Sequence, residues 1–351
     1  MSGNRRLIFS LLVLLCSVPV CAGPALAQTP ANIVECIRAT AGPAVAQIVY
    51  QFQLADGTKD EARGSGFVIK GDGYIITAAH VLRPPPVYTS SVVTSTIKVK
   101  LGSLFATEYP ASLITKIDDL DIALIKMPML NAGWPKVQIH YGAGEDSMPW
   151  LYASGFPGTS DLTGAGPGKV TSPNAVVDGK PTAWWQTDIP LNPGMSGGPV
   201  FNSFGEVAGI AAAIKGQAGG SITYVIPISS ALTLIPLAGV TEYTPSPCSD
   251  DGKSMVMDFI KGAVEGQYEK DRISDYLYQT ILGQTDANRR YPQLSRLGKI
   301  RDFEVAHKQG VPQGTWFTIK VQHDNGQSTW VIGYNRQKKW IDVASFQVVG
   351  P

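Results

Sequence analysis

Between residues 45 and 226 the chain is a succession of short apolar runs divided by turn residues, with no long helical pattern among them. The runs are Val45 to Gln53, Gly66 to Ile69, Tyr74 to Thr77, Thr96 to Leu101, Ala111 to Ile117, Ile122 to Met127, Trp150 to Ala153, Trp184 to Thr187, Pro199 to Phe201, Glu206 to Ile214 and Ile222 to Ile226. Strands of this length are stable only when their apolar face is covered by another sheet, which predicts an all-β sandwich or a pair of barrels. The stretch from Ser154 to Lys169, containing Gly155-Phe156-Pro157-Gly158 and further glycines, is too polar for a strand and is expected as a loop. That loop is either surface decoration or a mobile segment on the substrate side. Ahead of the first run, Ile33, Val34 and Ile37 fall on one helical face before Gly42-Pro43, so a short lead-in helix is expected.

A second kind of pattern begins after Thr241. Prolines, serines and Gly252 replace apolar strands up to Lys253. Met255 to Tyr268 then has helical spacing, continued by Ile273, Tyr276, Leu277 and Ile281. Four strands follow at Phe303 to His307, Trp316 to His323, Ser328 to Tyr334 and Trp340 to Phe346, with a turn at Asp324-Asn325-Gly326. The expected organisation is a β domain over 28–240, a linker over 241–253 and a smaller α+β domain over 254–351. A chain of 351 residues is long enough for two such cores.

At the other end, Arg5 and Arg6 precede an apolar run from Leu7 to Val20 and the small residues Ala25-Leu26-Ala27. This is the layout of a signal peptide cleaved before Gln28, and the run is shorter than a membrane-spanning helix requires. The mature protein is therefore expected to be exported, periplasmic or secreted, without stable membrane insertion. Its net charge of +1 falls to −1 once Arg5 and Arg6 leave. Nothing in that balance calls for nucleic acid or an anionic membrane. Of the four cysteines, only Cys36 and Cys248 remain, either paired in an oxidising compartment or as two free thiols.

Three separated segments carry chemistry. Asn192-Pro193-Gly194-Met195-Ser196-Gly197-Gly198-Pro199 sets a serine among glycines, where backbone N–H groups can face an oxyanion and other chain can pass close. Tyr74-Ile75-Ile76-Thr77-Ala78-Ala79-His80-Val81 ends an apolar strand on a histidine, the side chain whose ordinary pKa suits a base at neutral pH. Asp118-Asp119-Leu120-Asp121-Ile122-Ala123-Leu124-Ile125 leads carboxylates into a buried strand, where one could orient an imidazole and the others serve the turn. His140, His307 and His323 sit in no metal-ligand spacing and are expected to be structural.

With Gly64-Ser65-Gly66-Phe67, Gln186-Thr187-Asp188, Gly205-Glu206-Val207 and Tyr224-Val225-Ile226-Pro227, these segments resemble the trypsin-like serine peptidases, in their HtrA-like bacterial branch. The order His, Asp, Ser is the one that fold requires. The resemblance covers roughly residues 31 to 238 and implies two six-stranded barrels with the site between them. It further implies His80 as general base, Asp121 as orienting acid, Ser196 as nucleophile, and the N–H groups of Gly194 and Ser196 as the oxyanion hole. No cofactor or metal is implied, and the substrate would be a protein or peptide. By the same alignment the specificity pocket has its base near Pro190 and its walls at Ile210, Ala211, Ala212, Ala213 and Val225. No acid is among these, so cleavage after small or medium apolar residues is expected.

Two departures stand out. Met195 occupies a place that is usually polar, which bears on how the oxyanion loop is held, and Gln28 is unlike the Ile-Val-Gly-Gly terminus that activates trypsin-like zymogens. In place of the usual PDZ domain, the C-terminal region resembles a SnoaL-like (nuclear-transport-factor-two-like) cone, which implies dimerisation or partner binding more than a ligand site. The competing readings are a non-catalytic pseudo-peptidase that binds unfolded exported proteins and an esterase using the same triad.

Overall fold

The computed structural model describes residues 30–88, 91–141, 150–177, 180–181, 183–217, 220–241, 243–244, 246–249 and 251–349. The expected signal segment, with Cys16 and Cys21, lies outside the described residues. The chain forms two compact units, one ending at Ser249 and the other running from Asp250 to Pro351.

Helix α1 (Pro30–Thr40) opens the first unit. Its Ile33 and Ile37, one turn apart, are buried, while Val34 points outward at 39 % exposure, so the apolar face is narrower than expected. Strands β1 (Val45–Leu54), β2 (Lys59–Lys70), β3 (Tyr74–Ala78), β4 (Val92–Leu101), β5 (Tyr109–Ile117) and β6 (Ile122–Lys126) follow. They close into a barrel in the order β1-β2-β3-β6-β5-β4, every pairing antiparallel. Strands β3 and β6 are its driest part: Ile75, Ile76, Ile122, Ala123, Leu124 and Ile125 are fully buried.

The second sheet contains β7 (Leu151–Gly155), β8 (Thr163–Gly168), β9 (Val170–Ser172), β12 (Trp185–Thr187), β13 (Pro199–Asn202), β14 (Val207–Gln217) and β15 (Gly220–Pro227), with β10 (Val176–Val177) and β11 (Lys180–Pro181) as a separate small hairpin. Its order is β8-β7-β13-β14-β15-β12-β9, seven strands in place of the expected six. The two ends of this sheet, β8 and β9, are joined through Lys169 alone. The expectation of a loop from Ser154 to Lys169 is corrected here, because Thr163–Gly168 pairs with β7. The glycines of this run offer no side chain to pack and Pro167 offers no N–H donor, and the edge of a sheet is the place where such a run can pair. One face of the sheet packs Leu151, Ala153, Trp185, Met195, Val200, Ala211 and Val225 together. The other contributes Phe201, Val207, Ile210, Ala212 and Ile226 to the core shared with the barrel, so the two β bodies are welded by apolar contact.

The chain leaves this unit under restraint. Cys248 is disulfide-bonded to Cys36 of α1, with Cα atoms 5.7 Å apart, and the Tyr243 hydroxyl donates to Glu206 at 2.5 Å.

The second unit has α2 (Lys253–Glu265), α3 (Asp275–Gln284) and α4 (Pro292–Ser295), then the meander β16 (Ile300–Val311), β17 (Gly314–His323), β18 (Gly326–Asn335) and β19 (Trp340–Val349). Val256, Ile260, Ala263, Ile281 and Leu294 from the helices share a core with Ile319, Trp330, Ile332 and Ile341 of the sheet. Ser274 caps α3 by accepting from the Leu277 N–H. This is the smaller α+β unit expected after the β domain.

Candidate active site

The register of the first barrel brings His80 to Asp121. Ala78, the last residue of β3, lies opposite Ile122, the first of β6. The next residue out on each strand must then face its counterpart: the Ala79 N–H donates to the Asp121 carbonyl at 3.0 Å. His80 sits in the single helical turn Ala79–Leu82. Its backbone N–H donates to Asp121 Oδ1 at 2.8 Å, and its Nδ1 pairs with Oδ2 at 2.6 Å. A carboxylate only accepts, so Nδ1 is the donor in this bond and Nε2 is the ring nitrogen left for other partners. Asp121 is buried while the His80 side chain is 40 % exposed, so the imidazole is held from behind and open in front.

Asp121 reaches this position through a left-handed backbone, φ 55°. The turn from β5 to β6 imposes it, with the N–H of Leu120 bonded to the Ile117 carbonyl and that of Asp121 to the Asp118 carbonyl. Aspartate tolerates this region better than most residues. Asp118 has another occupation: hydrogen bonding from Lys116, aided by the charges of Arg83 and Lys116, holds its carboxyl below the usual range. It is a surface anchor for two cations.

Ser196 lies in the loop entering β13. A Cβ on Gly197, at φ 84°, would fall 2.2 Å from the Ser65 carbonyl oxygen and 2.8 Å from the Ala78 nitrogen. Only glycine lets the loop lie against the middle of β2 and the end of β3, and that contact brings Ser196 to the strand that leads into the His80 turn. The Ser196 hydroxyl donates to the Ala212 carbonyl at 2.9 Å and not to His80.

The loop's peptide planes are tied one by one. The Pro193 carbonyl accepts from the Gly158 N–H at 2.9 Å, the Gly194 carbonyl from the Ser65 hydroxyl at 2.8 Å, the Met195 carbonyl from the Gly198 N–H at 2.9 Å and the Ser196 carbonyl from the Ser65 N–H at 2.7 Å. The N–H groups of Met195 and Gly197 donate to Asn192 and Ala211. In a trans peptide the N–H points opposite to the carbonyl, so each tie also aims a donor. The N–H groups of Gly194 and Ser196 have no acceptor among the described residues. Gly194 adopts φ 96°, where a Cβ would strike the Phe156 carbonyl oxygen at 2.5 Å. Met195 is fully buried in the apolar face of the second sheet, which accounts for an apolar residue at that position.

The residues expected to form the specificity pocket are divided. Pro190 is exposed. Ile210, Ala211, Ala212 and Val225 are 0–1 % exposed and packed into the two cores. The side chain of Ala213 lies outside the described residues.

The other histidines occupy structural surroundings. Buried His140 pairs through Nδ1 with Glu206 at 3.0 Å beside Asn202, buried His323 bonds Ser328 at 2.8 Å, and His307 is exposed on β16. Among the described residues no group of three or more His, Cys, Asp or Glu is arranged to hold a metal ion. The backbone donors of Phe156 and Gly158 and the Ser65 hydroxyl were not singled out from sequence. The only available signal was Ser65 between two glycines.

Residues 64–210 match the trypsin-like peptidase domain family. The chain is 34 % identical over 175 residues to a probable periplasmic serine endoprotease DegP-like of Pseudomonas fluorescens, covering 49 % of this chain and 34 % of that protein. It is 33 % identical over 181 residues to the putative serine protease HhoB of Synechocystis, covering 49 % and 39 %. To a probable periplasmic serine endoprotease DegP-like of Brucella suis it is 36 % identical over 187 residues, covering 50 % and 32 %. The chain thus aligns with between 32 % and 39 % of the length of these relatives.

Proposed function

We propose that this chain is an exported serine endopeptidase in which Ser196 is the nucleophile, His80 the general base and Asp121 the carboxylate that orients it. The observation that carries this reading is the His80–Asp121 pair beside a serine loop in which the N–H groups of Gly194 and Ser196 have no acceptor among the described residues. His80 Nε2 takes the Ser196 proton as Oγ attacks the substrate carbonyl carbon. The negative oxygen that results is met by the Gly194 and Ser196 N–H groups. His80 returns the proton to the leaving amine, and water, deprotonated by the same imidazole, releases the acyl group from Ser196. The peptidase-domain match and the serine endoprotease relatives support the same reading.

Hydrolysis of casein by the purified protein, beside Ser196→Ala and with covalent labelling by a fluorophosphonate, tests it. Activity and labelling should both vanish in the variant, and wild-type protein that neither labels nor cuts would overturn the proposal. The Ser196–Ala212 bond favours one second reading, a latent or non-catalytic binding protein for unfolded exported chains. Attack requires the Ser196 hydroxyl to turn its proton from Ala212 toward His80. Burst labelling at the rate of ordinary serine peptidases argues against latency.

Apolar residues around Pro190 would leave a lysine or arginine side chain unpaired, so cleavage is assigned after small or medium apolar residues. Cleavage mapping dominated by Lys or Arg would sink that assignment. Export, to the periplasm or beyond, is supported by the leader-like 1–27 segment, by the Cys36–Cys248 disulfide and by the periplasmic relatives. The C-terminal unit, helices first and then a four-stranded meander, is assigned to the SnoaL-like cone and to self-association or partner binding.

A further inference from the structure

We infer that Ser65 is a positioning residue for the oxyanion hole, a clasp from the first barrel that sets the peptide planes of the nucleophile loop in the second. The inference rests on the peptidase reading above. Ser65 is fully buried. Its hydroxyl donates to the Gly194 carbonyl at 2.8 Å and accepts from the Phe156 N–H at 2.9 Å. Its backbone N–H donates to the Ser196 carbonyl at 2.7 Å. Its own carbonyl accepts from the Thr77 hydroxyl at 2.6 Å, which ties the clasp to β3. One residue therefore holds two of the loop's four tied carbonyls, in the peptide planes that directly follow those carrying the Gly194 and Ser196 N–H groups.

The hydroxyl acts at a hinge. Gly194 lacks a Cβ and sits at φ 96°, so the planes on either side of it rotate cheaply unless both are tied. The Pro193–Gly194 plane, which carries the Gly194 N–H, is held by Gly158; the Gly194–Met195 plane is held by the Ser65 hydroxyl. The same hydroxyl also holds Phe156, two residues before Gly158, so both ties pass through the segment that Ser65 grips. The neighbouring loop residue, Met195, is engaged only in apolar packing through its side chain. Part of the polar restraint of this loop thus comes from across the barrel interface, through Ser65. Gly155 and Gly198 make room for the clasp: a Cβ on the former would fall 2.8 Å from Ser65 Oγ, and one on the latter 3.2 Å from Ser65 Cβ.

Removing the hydroxyl should mis-aim the Gly194 N–H and penalise the transition state more than substrate binding. The test uses the full chain with Ser65→Ala, a fluorogenic peptide amide chosen from casein cleavage sites, and the boronic acid of the same peptide. The expected result is a kcat lower by about 10- to 100-fold, below or at the low end of losing an oxyanion donor outright, with KM within about threefold of wild type. Boronate affinity should fall by the same factor. Affinity for the uncleaved peptide, compared between Ser196→Ala and the double variant Ser65→Ala/Ser196→Ala, should stay within about threefold. A folded Ser65→Ala protein with wild-type kcat overturns the inference, as does equal weakening of boronate and uncleaved peptide, which a merely structural role would produce. If Ser65→Ala does not fold, Ser65→Cys, a weaker donor of similar shape, must show the same selective loss of kcat and boronate affinity; its absence is equally fatal. Wild-type protein that fails to react with fluorophosphonate would instead remove the peptidase reading itself, a separate outcome.

Discussion

Asp121 is the residue at which local geometry and chemistry are most tightly joined. One carboxylate oxygen fixes the His80 backbone and the other fixes its ring, so Asp121→Asn should reverse the tautomer by presenting an amide donor to Nδ1. The expected loss in kcat is about 10³- to 10⁴-fold with little change in melting temperature, read by steady-state hydrolysis and thermal unfolding. Asp118→Ala, three positions away, should leave kcat within about twofold, because that carboxylate faces Arg83 and Lys116 on the surface. The pairing of His80 with Asp121 and the glycine setting of Ser196 were legible because each residue stands in a short motif with characteristic neighbours. Ser65 stood in such a motif too, yet its task was not legible: the carbonyl it holds is 129 positions away. No local pattern encodes such a bond.

At the scale of elements, the barrel strands were readable from apolar runs because each faces a continuous core. The edge strand Thr163–Gly168 was not, since pairing at an edge demands no apolar side chain and its glycines read as loop. Glycine also marks the tightest joint between elements. Gly197→Ala would thrust a methyl group against the Ser65 carbonyl and the Thr77 hydroxyl at 2.2 and 2.3 Å in a left-handed backbone. It should cost about 3 kcal/mol or more and abolish activity, as measured by denaturant unfolding and casein cleavage. On β17, burial pushes the His323 imidazole pKa down. The unfolded chain then binds the proton more readily, so the contribution is intact above about pH 6.5 and is lost as pH falls from there through the lower folded value. Unfolding of the C-terminal unit followed from pH 8 to 5 should show this loss, and His323→Gln should flatten it.

For the molecule as a whole, two units and a mostly β first half were evident from where the apolar patterning changes character. The seventh strand of the second sheet was not, because the Thr163–Gly168 edge strand carries no apolar run. The Cys36–Cys248 bridge spans a sequence separation of 212 residues. Closing a loop of that size removes disorder from the unfolded chain worth about 5 kcal/mol in the chain-entropy account. Cys36→Ser/Cys248→Ser should therefore melt at lower temperature than the oxidised wild type and coincide with it once both are fully reduced. The bridge also makes the segment from α1 to the end of the first unit a covalent ring. On the proposed peptidase reading, the protein at high concentration would meet its own surface loops as substrate. A single cut anywhere within that ring leaves two pieces joined by the bridge and releases no fragment. Nicked molecules would run as one species without reductant and as two pieces with it, and they could keep both halves of the catalytic site together long after the backbone had been broken.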